Sequence, residues 1–119
     1  MNADIDRYIK EIVRILIPLN TDRVILFGSA ARNDMHIDSD LDLVVVLDED
    51  RIPQSYEDKL YMRVAIKRAV KSVNEQVAID VIVYTKTEYV EMMKNRGSFL
   101  KEIAETGKVL YEKTSQGVA

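Results

Sequence analysis

Two neighbouring runs decide the reading of this chain: Val24-Ile25-Leu26-Phe27-Gly28-Ser29-Ala30-Ala31-Arg32, and then Ser39-Asp40-Leu41-Asp42-Leu43-Val44-Val45-Val46-Leu47. Val24–Phe27 is a short apolar run ended by Gly28-Ser29, the pattern of a buried strand. Ala30-Ala31-Arg32 reads as one or two turns of helix, and Asn33 to Ser39 as a polar loop. Asp40–Leu47 reads as a second strand. Successive strand side chains leave opposite faces, so Leu41, Leu43, Val45 and Leu47 share one face. Asp40, Asp42, Val44 and Val46 share the other, which places both acids on one side of a core strand.

Working outward, Ile5, Ile9, Ile12 and Leu16 recur at helical spacing and predict a first helix. Asp4 and Asp6 suit its N-terminus, and Pro18 and Asn20 mark its end. After a turn at Asp50–Pro53, Ser55 is placed to cap a long helix reaching about Asn74, with Met62, Ile66, Ala69 and Val73 facing the core. Val77–Tyr84 is β-branched and predicts a third strand. Thr87–Asn95 predicts a helix broken at Gly97. Ser98 would cap a short helix to Glu105, and Gly107 would close it. Lys108–Tyr111 predicts a last, edge-like strand, and Thr114–Ala119 a loose tail. The expected fold is mixed α/β (α+β), a small mixed sheet flanked by helices, in a single domain spanning 1–119.

Three acids carry the chemistry. Asp40 and Asp42 leave one strand face together, and Asp80 lies inside Val77-Ala78-Ile79-Asp80-Val81-Ile82-Val83, the most apolar strand of the chain. Burying an uncompensated polar group costs on the order of 2–7 kcal/mol, and an ion more. A divalent cation is the common compensation for converging carboxylates. Oxygen donors without a histidine cluster select Mg²⁺, with Mn²⁺ as the alternative. Gly28-Ser29, between a strand and a helix start, offers free amides suited to phosphate, although no Gly-Lys-Ser/Thr element makes it a Walker loop. An EF-hand reading of Asp38-Ser39-Asp40-Leu41-Asp42 with Glu49 fails, because Leu43 stands where that loop needs glycine.

Gly28-Ser29, ten residues, and then Asp40-Leu41-Asp42 resembles the signature of the nucleotidyltransferase superfamily that includes DNA polymerase β. The run Leu26–Arg32 with Ser39–Val45 resembles its minimal, MNT-type branch. Asp80 matches the third family carboxylate. Ser98-Phe99-Leu100-Lys101-Glu102-Ile103 with Gly107-Lys108-Val109-Leu110-Tyr111 is also similar to that branch.

The resemblance implies the polymerase-β-like fold and transfer of a nucleoside monophosphate, AMP from ATP or another NTP, with release of pyrophosphate. It implies two Mg²⁺ ions held by Asp40 and Asp42, with Asp80 on the ion that activates the attacking hydroxyl. Ser29 and the amides around Gly28 would hold the outer phosphates, with Arg32 as either a further charge contact or a partner for an acid in the Asn33–Ser39 loop. Minimal members of this branch often act as antitoxins, pairing with a HEPN-type ribonuclease toxin and adenylylating a tyrosine on it, so the resemblance implies such a partner here. Larger members carry a second domain for the acceptor, and 119 residues leave no room for one, so the acceptor is expected to be a separate protein. Two rival readings are a small-molecule, aminoglycoside-type adenylyltransferase and a non-catalytic binding module. The first lacks an acceptor pocket in the sequence; the second gives no reason to keep buried acids.

Composition narrows the remainder. With no cysteine and one histidine, disulfides, thiolate metal sites and cysteine nucleophiles are excluded. A net charge of −3 argues against non-specific nucleic-acid binding on bulk charge. The N-terminus lacks a signal-peptide pattern and no apolar run is long enough to span a bilayer, so a cytoplasmic protein without a membrane partner is expected. His36 reads as an exposed loop residue. Lys59, Arg63, Lys67 and Lys71 recur every four residues beside Arg68, which reads first as a solvated helix face and second as a docking face for triphosphate or an acidic partner. Leu60 and Val64 lie opposite Met62 and make that helix apolar on two sides. Tyr56, Tyr61, Tyr84, Tyr89 and Tyr111 read as packing residues. Self-association is left open.

Overall fold

The structure, a computed structural model, describes residues 3–28, 31, 40–95 and 97–113, with the side chains of Ala3 and Ser98 outside that description. Helix α1 (Ala3–Leu16) buries Ile5, Ile12 and Leu16 and half-buries Ile9, as their spacing requires. A single 3-10 turn (Ile17–Leu19) follows, and Asn20 takes the left-handed conformation at φ 59°. Thr21 Oγ1 then donates to Leu16 O at 2.6 Å, satisfying a helix-end carbonyl in a buried place.

Strand β1 (Thr21–Phe27) starts three residues before the apolar run, because Arg23 already pairs with Val46 on one side and Glu112 on the other. Strand β2 (Leu41–Leu47) runs antiparallel to it. Helix α2 (Tyr56–Ala69) begins at the predicted cap: Ser55 Oγ accepts from Asp58 N at 3.1 Å. The helix does not run unbroken to Asn74. It stops at fully buried Val70 (φ −99°, ψ 14°), and a short α3 (Lys71–Asn74) resumes, with Val70 and Val73 both in the core.

Strand β3 (Ile79–Thr85) starts later than its β-branched pattern suggests, since Val77 N still donates to Val73 O at 3.0 Å. Helix α4 (Lys86–Asn95) opens on a reciprocal cap. Glu88 N donates to Thr85 Oγ1 at 3.1 Å, and Thr85 N to Glu88 Oε1 at 3.2 Å. Helix α5 (Ser98–Thr106) takes Gly97, not Ser98, as its cap position. Gly107 closes it in an extended conformation, its N–H donating to Ile103 O at 2.8 Å. A Cβ there would stand 2.5 Å from Ile103 O and 2.9 Å from Ile25 Cγ2, so close approach demands the glycine. Strand β4 (Lys108–Glu112) is the expected edge strand. The predicted tail, 114–119, lies outside the described residues.

The sheet order is β3-β2-β1-β4, with β2 and β3 parallel and the other pairs antiparallel. Helix α2 is the crossover between the parallel pair. Helices α1 and α2 cover one face over Val24, Leu26, Leu41, Leu43, Val45, Val81 and Val83. Helices α4 and α5 cover the other over Ile25, Val44, Val46 and Tyr84. Strand β2 is thus buried on both faces, the reason for its unbroken apolar run. Among the described residues, no helix is long and apolar enough to cross a membrane.

Candidate active site

Asp40 sits just before β2, Asp42 is the strand's second residue, and Asp80 is the second residue of β3. In the parallel ladder Asp42 is the register partner of Asp80, and across the antiparallel ladder it is the partner of Phe27. Phe27, Asp42 and Asp80 therefore form one row over three strands, at the end where β2 and β3 begin. By alternation the two acids leave the sheet on the face of Val44, Val46 and Tyr84, beside the α4–α5 layer. Phe27 meets Phe99 of α5 edge to face at 5.5 Å, an apolar wall that the sequence reading did not single out.

Gly28 follows Phe27 at φ 75°, a conformation that a side chain makes costly. Its Cα faces the Asp42 carboxylate, and an added Cβ would overlap Asp42 Oδ2. Gly28 is thus needed twice, for its backbone angle and for the space that the carboxylate fills.

The carboxyl of Asp42 is pushed above its ordinary range, first by burial and then by the charges of Asp80 and Asp40. The acids are less buried than their apolar runs suggest: Asp80, on the edge strand, has 59% of its side chain exposed, Asp40 is exposed too, and Asp42 alone is half-buried. Among the described residues no three acids stand close enough to cage a metal ion as they are. The donor set nevertheless suits a hard divalent cation: like-charged carboxylate oxygens at one strand end, with no hydrogen-bond donor to Asp42 among the described residues. Ser29, Arg32 and His36 lie outside the described residues.

The basic stripe on α2 has a different role from a solvated face. Lys59 Nζ donates to Val83 O at 2.6 Å, Arg63 Nε to Val81 O at 3.2 Å, and Lys67 Nζ to Ile79 O at 2.6 Å. These are the outward carbonyls of edge strand β3. Four helical residues rise about 6 Å and two strand residues about 6.6 Å, so alternate carbonyls match every fourth helix position. Lys59 also holds Glu88 of the α4 cap at 2.9 Å. Arg63 alone of this stripe reaches a site acid, its guanidinium 3.5 Å from Asp80 Oδ1. The four-residue repeat was visible in sequence; the carbonyls it serves were not.

The tyrosines divide. Tyr84 and Tyr89 are buried together, ring centres 6.2 Å apart, and Tyr111 packs partly on the core. Tyr56 and Tyr61 stand exposed on α2.

The Polbeta family (Polymerase beta, Nucleotidyltransferase) matches residues 10–116. A curated protein of Methanocaldococcus jannaschii, named as a candidate protein adenylyltransferase, is 29% identical over 97 residues, covering 79% of this chain and 93% of that protein. A crystal structure from Sulfolobus solfataricus, described as a candidate nucleotidyltransferase, is 21% identical with a TM-score of 0.59, over 90% of this chain and 79% of that one. A chain in a mutant form of the toxin–antitoxin MntA–HpeT is 19% identical with a TM-score of 0.50, over 98% of this chain and 76% of that one. At these identities the solved structures establish likeness of fold.

Proposed function

The chain belongs to the polymerase beta nucleotidyltransferase family, and from that premise we propose that it moves AMP from ATP to a hydroxyl of a partner protein, a tyrosine of a HEPN-type toxin, and so acts as an antitoxin. It is a nucleotidyltransferase; the nucleotide, the acceptor and the biological setting are the proposal. The observation that carries it is the row Asp42–Asp80 beside Gly28, with Asp42 strained by burial and by its neighbours' charge. The relative named for protein adenylylation supports a protein acceptor. The toxin–antitoxin likeness in fold is compatible with the partner class.

In this reading Asp40, Asp42 and Asp80 would hold two Mg²⁺ ions. Bound there, the ions would neutralise phosphate charge and lower the proton affinity of the attacking hydroxyl. Gly28, with Ser29 and Arg32, would seat the outer phosphates. Asp80, the most open acid of the row, would receive the hydroxyl proton. The hydroxyl oxygen bonds to the α-phosphorus, the bond from that phosphorus to the β-phosphate bridging oxygen breaks, and pyrophosphate leaves with the electron pair. The protein would work in the cytoplasm as one domain.

Label transfer tests this. The protein, purified with whatever accompanies it from its native cells, is incubated with Mg²⁺ and ATP labelled at the α-phosphate. Label on a partner protein, absent with Asp42→Asn, is the expected result. Label on no protein with any of the four nucleoside triphosphates would overturn it.

A further inference from the structure

The third acid lies on the outermost row position. Across the sheet the order is Gly28 after β1, Asp42 on β2, Asp80 on edge strand β3, and then α2. If phosphates gather on the Gly28 side, the group that Asp80 deprotonates must approach from the α2 side. A groove is open there. About 360 Å³ lies between Tyr56, Leu60, Arg63 and the β3 segment from Asp80 to Val83. It adjoins a second groove of about 390 Å³ along α2, lined by Leu60, Val64, Arg68 and Lys71 among others, with Leu60 and Arg63 common to both.

Two features mark the occupant. Leu60 and Val64, one helical turn apart, are 40% and 38% exposed and form a shallow apolar stripe. Beside them the side chains of Arg68 and Lys71 make no ion pair or hydrogen bond among the described residues, unlike Lys59, Arg63 and Lys67, which are spent on β3 carbonyls. The second groove is lined by cations and no acid, on a chain of net charge −3. We propose that this trough docks an acidic, apolar-bearing polypeptide segment of the acceptor protein, laid along α2 so that its hydroxyl meets Asp80. The proposal rests on the transfer reading above and names the acceptor's binding face. A continuous phosphate backbone fits less well, because the first groove is lined by the like-charged acid Asp80 and the trough carries the apolar Leu60 and Val64.

The probe is a fluorescent random copolymer of glutamate and tyrosine, with oligo(dT) as competitor. Binding is followed by anisotropy for the full chain and for Arg68→Glu with Lys71→Glu. Val64→Ser is a second variant, and melting temperature and ATP binding are checked in each. The expected result is copolymer binding weakened by roughly tenfold in the charge-reversed variant, with ATP binding and melting unchanged. In the transfer assay the copolymer's KM should rise by about the same factor, with kcat held. Copolymer bound equally by both proteins, or not at all, overturns the proposal. Oligo(dT) bound more tightly through the same two cations overturns it in favour of nucleic acid. A change of oligomeric state in the variant without copolymer binding overturns it in favour of a second copy. Binding through Arg68 and Lys71 without label transfer upholds the docking face while the transfer reading fails. Label transfer indifferent to both substitutions does the reverse.

Discussion

Gly28 and Asp42 share one space: the glycine's bare Cα faces the carboxylate, and a Cβ would overlap Asp42 Oδ2. The candidate site therefore depends on a missing side chain as well as on its acids. Gly28→Ala must both tolerate φ 75° and push Asp42 away. We expect a loss of about 1–3 kcal/mol in urea unfolding, and nucleotidyl transfer abolished even at temperatures where the variant is folded. Transfer at the wild-type rate would show that the carboxylate can move without consequence.

Asp42, a candidate site residue, costs stability when ionised. Its folded-state carboxyl binds its proton more tightly than in the unfolded chain, because burial and then Asp80 and Asp40 disfavour the charge. Ionisation therefore lowers stability as pH rises from the unfolded value, about 3.9, through the raised folded value. Asp42→Asn removes that cost. Without added metal it should melt higher than wild type at neutral pH, by on the order of 2 °C after solvent screening. The difference should vanish at pH 3, and transfer should be lost throughout. Calorimetry at pH 3 and pH 7.5 checks the sign.

Lys67 should matter to the sheet rather than to chemistry. Its ammonium sits 2.6 Å from Ile79 O on the edge strand. Lys67→Met keeps the apolar stem and removes the donor, which should cost about 1–2 kcal/mol. An uncapped edge also invites pairing between chains. Light scattering at raised concentration should show more association for this variant, and no excess would sever the stripe from edge protection.

Asp48 ties the end of β2 to the residue after β4. Its carboxylate accepts from Lys113 at 2.7 Å and lies 3.7 Å from Lys86. The hydrogen bond to Lys113, and then the charges of Lys113 and Lys86, hold its carboxyl below the usual range. That stabilisation is present above the unfolded value and is lost as pH falls through the lowered folded one. Asp48→Asn should melt below wild type at neutral pH and match it in strong acid. Added salt should narrow the neutral-pH gap. Scans across pH at two ionic strengths decide it.

Much of the chain was legible because its signals are local. The alternation of Leu41, Leu43, Val45 and Leu47 against Asp42, Val44 and Val46 placed β2's two faces correctly. Ser55 capped its helix as read. Boundaries failed where neighbours intervened. β1 reached back to Thr21 because β2 and β4 had backbone groups to pair there. The long helix broke at Val70, where the backbone leaves the helical region at ψ 14°, and side-chain spacing gave no sign of it, because Met62, Ile66, Val70 and Val73 share one helical face. The Thr85–Glu88 cap is legible as Thr-x-x-Glu, and it starts the helix one residue before the Thr87 that the sequence pattern suggests.

By itself the sequence determined the order of elements and the two-faced core strand, and it offered Gly28, Asp40, Asp42 and Asp80 as candidate positions for chemistry. The elements and the two faces follow from side-chain periodicity, a property of a short stretch of chain. Tertiary structure decided which residues face one another. Register made Asp42 and Asp80 neighbours across 38 residues of chain and set Phe27 in their row. The edge position of β3 turned Lys59, Arg63 and Lys67 from surface charges into caps for strand carbonyls, leaving Arg68 and Lys71 uncommitted. A backbone carbonyl has no letter in the sequence, so whether it needs a partner appears when the sheet reveals which of its edges is bare.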